Sequence, residues 1–118
     1  MNSPTAILTI TGSDNTGVSG IQADIKTISA TGSYACSVIT AITSQNTQGV
    51  SAVLPIPLEH IASQLDAVFS DLDVRAVKIG MLADADIIRL VASKIRQYLG
   101  GQVCCFTGKA LHCSRFVV

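Results

Sequence analysis

The sequence predicts an α/β fold built on a mainly parallel sheet with flanking helices. Two observations predict it. Short runs of β-branched and apolar residues alternate with longer stretches whose apolar residues recur at helical spacing. That order is the signature of βαβ units joined by right-handed crossovers. The strand-like runs are also apolar throughout, as expected of a parallel sheet covered on both faces.

Ala6 to Thr11 is a buried strand that meets Gly12. The segment from Gly12 to Gly20 reads as a loop, and Ser19 followed by Gln22 has the spacing of a capping box. Ile21, Ile25 and Ile28 then mark the apolar face of a helix, which Gly32 ends. Ala35 to Thr43 is a second strand. Val50 to Ile56 is a short strand or an arm, and Pro55 and Pro57 place it at an edge. Leu58, Ile61, Leu65, Val68, Phe69 and Leu72 lie on one stripe of the next helix. Val74 to Gly80 is a third buried strand. Asp84 caps a third helix with Ile87, Ile88, Val91, Ile95 and Leu99 facing inward, and Gly100 and Gly101 stop it.

Composition narrows the class. The 118 residues suit one compact domain, and 48% hydrophobic against 14% charged residues excludes disorder. Eight basic and eight acidic residues balance, so nothing points to nucleic acid or to an anionic membrane. No apolar run approaches the ~20 residues of a membrane helix. The start, Met1 to Thr5, lacks the basic and apolar regions of a signal peptide. A cytoplasmic protein is the expectation. Cys36, alone in an apolar run, reads as a small core residue. Cys104, Cys105 and Cys113 crowd His112, but adjacent cysteines are not the usual Cys-x-x-Cys spacing, and no metal site is assigned.

In parallel sheets ligands bind outside the carboxyl ends of the strands. Gly12–Gly20, Ser44–Gly49 and Gly80–Ala85 follow strand ends and should converge there. The first segment is neither a P-loop nor a dinucleotide fingerprint. It is either a turn needing positive φ or a backbone cradle for a ligand. Asp24, placed in the first helical turn, either compensates the helix dipole or accepts a hydrogen bond from a ligand hydroxyl. Gln45-Asn46-Thr47 is either an ordinary turn or the source of an amide that pairs with a ring bearing a nitrogen and an exocyclic amine. Met81 in Lys78-Ile-Gly-Met-Leu82 is either core or a polarizable wall for a flat ring.

Five segments occur together and in order: Gly12-Ser-Asp14, Gly20-Ile-Gln-Ala-Asp-Ile-Lys26, Ser37-Val-Ile-Thr-Ala41, Gln45-Asn-Thr47 and Lys78-Ile-Gly-Met81. In this the chain resembles the hydroxymethylpyrimidine/phosphomethylpyrimidine kinases of thiamine biosynthesis, which are ribokinase-like. The resemblance runs from about Ala6 to Leu99. It implies a ribokinase-like sheet and phosphorylation of the hydroxymethyl group of 4-amino-5-hydroxymethyl-2-methylpyrimidine, then of the monophosphate, with ATP and Mg2+. It also implies a homo-oligomer. By resemblance Gln45 holds the aminopyrimidine edge, Met81 packs on the ring, and Asp24 and the Gly12 backbone lie near the hydroxymethyl end.

Three departures stand out. Gly17-Val18-Ser19-Gly20 replaces the family's Gly-Gly-Ala-Gly, and Thr43 stands where an apolar residue is expected against the ring. After the third helix, the family continues with a further strand, an Asp-Pro-Val-Met motif and a second half carrying the ATP site, the Mg-binding acids and the catalytic cysteine. Here residues 1–102 read as the substrate-binding part, and 103–118 as an aberrant or disordered tail with neither strand nor helix period. A shifted reading frame or truncated gene is the expectation, and no catalytic residue is assigned in this chain. The rival readings are a non-catalytic pyrimidine-binding or interaction fragment, and a pyridoxal kinase.

Overall fold

A computed structural model of the chain describes residues 5–80, 82, 84–100, 104–106 and 111–112. The elements run β1 (Thr5–Asp14), α1 (Gly20–Ala30), β2 (Tyr34–Asn46), β3 (Gly49–Pro55), α2 (Leu58–Asp71), β4 (Asp73–Ile79), α3 (Ala85–Leu99), β5 (Cys104–Phe106) and β6 (Leu111–His112). They form one sheet in the order β3-β2-β1-β4-β5-β6. β1 pairs in parallel with β2 and β4, and β4 with β5; β3 and β6 are antiparallel edges.

The strand order decides which face each helix covers. The step from β1 to β2 runs one way across the sheet and the return to β4 runs the other, so right-handed crossovers require opposite faces. Strand alternation shows this directly. Leu8, Ile10, Val38, Val77 and Ile79 pack with Ile61 and Leu65 of α2 and Ile87, Val91 and Ile95 of α3 in one buried core. The intervening Ile7 and Thr9 face α1. α2 and α3 are further joined by stacked Phe69 and Tyr98 rings, 5.1 Å apart, and by Asp66, whose carboxylate accepts from Lys94 and Tyr98.

α3 follows the sequence closely. The Asp84 carboxylate accepts from the Ile87 amide at 2.9 Å, and Gly100 closes the helix. α1 does not. The Ser19 side chain makes no cap bond, and the capping box is absent. Asp14 takes the Ser19 hydroxyl instead, and Gln22 turns back to β1, where its Nε2 donates to the Ser13 hydroxyl and its Oε1 accepts from the Asp14 amide. The predicted stripe is also only partly buried: Ile21 is in the core, Ile28 is half-buried and Ile25 is exposed. No second helix flanks α1 on its face among the described residues, so one side of the stripe lacks cover.

β2 is longer than predicted, and Gln45 and Asn46 are its last residues. Beyond Thr43 the strand leaves β1 and continues because β3 pairs with it through Gly49, with only Thr47–Gln48 as the turn. Where β3 stops, Gln64 of α2 takes its place: the Ile39 amide donates to Oε1 and Nε2 donates to the Ile39 carbonyl, both at 2.9 Å. Cys36 packs against the core as expected, and burial pushes its thiol up to about 11. The backbone of Cys104–Phe106 adds a parallel strand beside Ala76–Lys78, which the absence of period in the tail did not foretell. Leu111–His112 pairs antiparallel with Cys105–Phe106, and the remaining residues of the predicted tail lie outside the described residues.

Candidate functional site

The carboxyl ends of β1 and β2 meet through a bulge between Thr11 and Ser13, which re-aims the backbone just where the loop departs. Asp14 organises that loop. Its carboxylate, buried in the fold, accepts from the Thr16 amide and hydroxyl (2.9 and 2.8 Å) and from the Ser19 amide and hydroxyl (2.9 and 2.8 Å). Asp followed by Thr at the second position is an Asx-turn signal, legible in the sequence once sought. The Thr16 amide above all holds the carboxyl down to about 2. Burial opposes it, and the Thr16 and Ser19 hydroxyls and the Ser19 amide add to it.

This depressed value has a pH consequence. The Asp14 contribution to loop order is fully present above the unfolded value near 3.8 and is lost as pH falls from there through about 2. Amide exchange at Thr16 and Ser19 is expected to lose protection in that window, while Asp14→Asn flattens the profile. Protection that persists to pH 1.5 would show that the carboxylate does not hold the loop.

Two of the predicted site residues lie at this end of the sheet. Gly12 lies against Ala41, at 3.4 Å from its carbonyl oxygen as measured from an added Cβ. Gln45 sits one strand over: its amide donates to Asn15 Oδ1 at 2.8 Å, and its Nε2 donates to Thr43 Oγ1 at 2.7 Å. Thr43 Oγ1 in turn donates to the Ser13 carbonyl at 2.7 Å. Ala41, Thr43 and Gln45 share the half-buried face of β2, while Ile42 and Ser44 between them are exposed. Val18 stands exposed at the loop tip.

Asp24 lies lower on the sheet. The helix begins at Gly20, so Asp24 falls in the second turn, not the first, and dipole compensation is not its role. Its Oδ2 accepts from the buried Thr9 hydroxyl at 2.6 Å, and Lys78 Nζ of β4 reaches both oxygens at 3.1 and 2.9 Å. The pair forms the polar end of a groove of about 410 Å3 lined by Ile7, Asp24, Thr27, Ile28, Thr31 and Lys78. Neither Gly12 nor Gln45 lines it. Gly80 does permit a close approach, but of protein: an added Cβ would sit 2.1 Å from Thr11 Oγ1. Met81 lies outside the described residues. Sequence reasoning missed Asn15 as a partner of Gln45 and Lys78 as a partner of Asp24, which are 30 and 54 residues away, and although it placed Thr43 against the ring it did not foresee its bond to Ser13 across 30 residues.

The family model for phosphomethylpyrimidine kinase matches residues 14–105. The hydroxymethylpyrimidine/phosphomethylpyrimidine kinase of Escherichia coli K12 is 54% identical over 91 residues, which is 77% of this chain and 34% of that protein. The crystal structure of phosphomethylpyrimidine kinase from Clostridium difficile 630 superposes with a TM-score of 0.80 at 48% identity, covering 86% of this chain and 44% of that one. An ADP complex of Bacillus subtilis pyridoxal kinase gives 0.76 at 36% identity, covering 87% and 41%. The chain thus spans about a third or less of the length of the curated relatives it matches.

Proposed function

We propose, because this chain belongs to the phosphomethylpyrimidine kinase family, that residues 1–102 form the substrate-binding part of an ATP-dependent kinase. Its substrates are 4-amino-5-hydroxymethyl-2-methylpyrimidine and the corresponding monophosphate, in thiamine biosynthesis. The observation that carries this reading is the Gln45 carboxamide. Its Nε2 donates to Thr43 Oγ1 near the carboxyl end of β2, and its oxygen and other N–H are uncommitted among the described residues. A donor and an acceptor side by side suit the amine and ring nitrogen of an aminopyrimidine. The greater likeness to a pyrimidine kinase than to the pyridoxal kinase favours this ring over a pyridine.

By the family resemblance Gly12 and Asp24 serve the hydroxymethyl end, although the groove that Asp24 lines includes neither Gly12 nor Gln45. Asp24 is already paired with Lys78, yet a carboxylate offers about four lone-pair sites, so Oδ1 can accept from a ligand hydroxyl as well. Met81 supplies the ring wall. Phosphoryl transfer needs a donor and cations to neutralise charge, here ATP and Mg2+. The described residues do not fit that group. No set of three His, Cys, Asp or Glu side chains among them could hold an ion, and the Gly12–Gly20 loop does not close with the Gly-Lys-Ser/Thr of a P-loop. Their work is to bind and orient the pyrimidine.

Calorimetry with 4-amino-5-hydroxymethyl-2-methylpyrimidine tests this reading. Gln45→Ala is expected to weaken binding by about 1–3 kcal/mol, because ring polar groups lose their partners in the site. An unchanged dissociation constant removes Gln45 from the site. Absence of saturable binding to the unaltered chain sinks the substrate assignment.

A further inference from the structure

Thr43 departs from the apolar residue expected against the ring, and its hydroxyl has a determinate job. A carbonyl oxygen only accepts, so the Thr43 proton must go to the Ser13 carbonyl 2.7 Å away. Towards Gln45, also at 2.7 Å, the hydroxyl can then only accept. The carboxamide must therefore present its NH2 to Thr43. Turning the amide over would set Oε1 against Oγ1 with no proton between them. The sense of the amide follows from the donor count and not from the difference between oxygen and nitrogen. The strand end is pinned as well, since the Gln45 amide donates to Asn15. One face of β2 thus holds a directed chain from Gln45 to Thr43 to Ser13.

The direction matters because a free primary amide is ambivalent. In one sense Oε1 accepts from an exocyclic amine while Nε2 donates to a ring nitrogen. Turned over, it donates to a ring carbonyl and accepts from a ring N–H. The first sense reads a 4-aminopyrimidine and the second its 4-oxo counterpart, which has nearly the same shape. We infer that Thr43 is a specificity-determining positioning residue that locks Gln45 in the amine-reading sense and so excludes 4-oxopyrimidines. This role rests on Gln45 being the residue that reads the ring edge. An apolar side chain at position 43 would fill similar space but leave the amide free to turn.

Two measurements on the whole chain test it. The first needs no ligand: nitrogen-15 NMR of the Gln45 side-chain amide. One carboxamide proton is expected to exchange slowly in the unaltered protein and in Thr43→Ser, and to exchange as fast as a free glutamine in Thr43→Val. Equal exchange in all three overturns the lock. The second is the ratio of dissociation constants for 4-amino-5-hydroxymethyl-2-methylpyrimidine and its 4-oxo analogue. The amine is expected to be preferred on the order of tenfold or more, since the wrong ring leaves both amide groups mispaired. Thr43→Ser keeps the preference, and Thr43→Val erases most of it. A ratio unchanged in Thr43→Val, with Gln45→Ala still weakening binding, overturns the role of Thr43 alone. A dissociation constant unchanged in Gln45→Ala overturns the underlying reading of the site, and the selectivity role with it.

Discussion

Gly20→Ala is expected to cost about 2–5 kcal/mol, from a left-handed backbone carrying a side chain plus overpacking against a rigid neighbour. Gly20 has φ +66, and an added Cβ would stand 2.4 Å from the Gly12 carbonyl oxygen and 3.3 Å from the Asp14 amide nitrogen. Both are backbone atoms of β1, bound into the sheet and unable to swing aside. Gly20 also bridges Ser13, so the start of α1 and the end of β1 would have to part. A loss of that size is a large share of the roughly 5–15 kcal/mol that stabilises a domain. Urea unfolding checks it, with Gly32→Ala as the control. Gly32 has φ +86 with nothing within 4 Å of an added Cβ, so it isolates the backbone part, about 1–2 kcal/mol. If the two variants lose the same stability, the close contact at Gly20 has no energetic weight.

Lys78→Met is expected to cost about 2–4 kcal/mol, near the range for breaking a buried ion pair from one side. The Asp24 side chain keeps only 16% of its exposure and Lys78 28%, so the carboxylate left behind would be poorly solvated. Thr9 alone would face it. Adding Asp24→Asn should recover much of the loss, because a neutral amide still accepts from the Thr9 hydroxyl and leaves no unpaired charge. A double-mutant cycle measures this coupling. Strict additivity would mean that the pair does not tie α1 to β4. The same cycle separates two uses of Asp24. A carboxylate that also receives the ligand hydroxyl will lose pyrimidine affinity in Asp24→Asn beyond what the loss of stability explains.

The elements of the fold were largely legible. Alternating apolar runs and helical stripes placed α2, β4 and α3 almost to the residue, and Asp84 and Gly100 marked both ends of α3. These features depend on neighbours within a turn or two, which the sequence displays directly. The misreadings came where a distant partner outweighed a local pattern. Ser19 and Gln22 have capping-box spacing, but Asp14 and Ser13 compete for both side chains and win. Gln45 and Asn46 look like turn residues, but antiparallel pairing with Val50 and Gly49 keeps them in strand. Ile25 belongs to an apolar stripe against which no second helix packs among the described residues.

The candidate site divides the same way. Its residue types at strand ends, glycine at 12 and an amide at 45, were readable from the sequence because strand order and loop position follow from period and punctuation. What each side chain does was not. Thr43 meets Ser13 across 30 residues, and Lys78 meets Asp24 across 54. Those meetings depend on the parallel register of β1 with β2 and β4, on the bulge after Thr11 and on which face α1 covers. A strand slipped by one residue would turn Thr43 to the opposite face and break the chain to Gln45. The sequence alone determined the elements from β1 to α3, their order and the fold class, since short-range periodicity carries that information. Tertiary structure alone decided the sense of the Gln45 amide and the partner of Asp24, since a hydrogen bond needs its two atoms within about 3 Å and only the folded register brings them there.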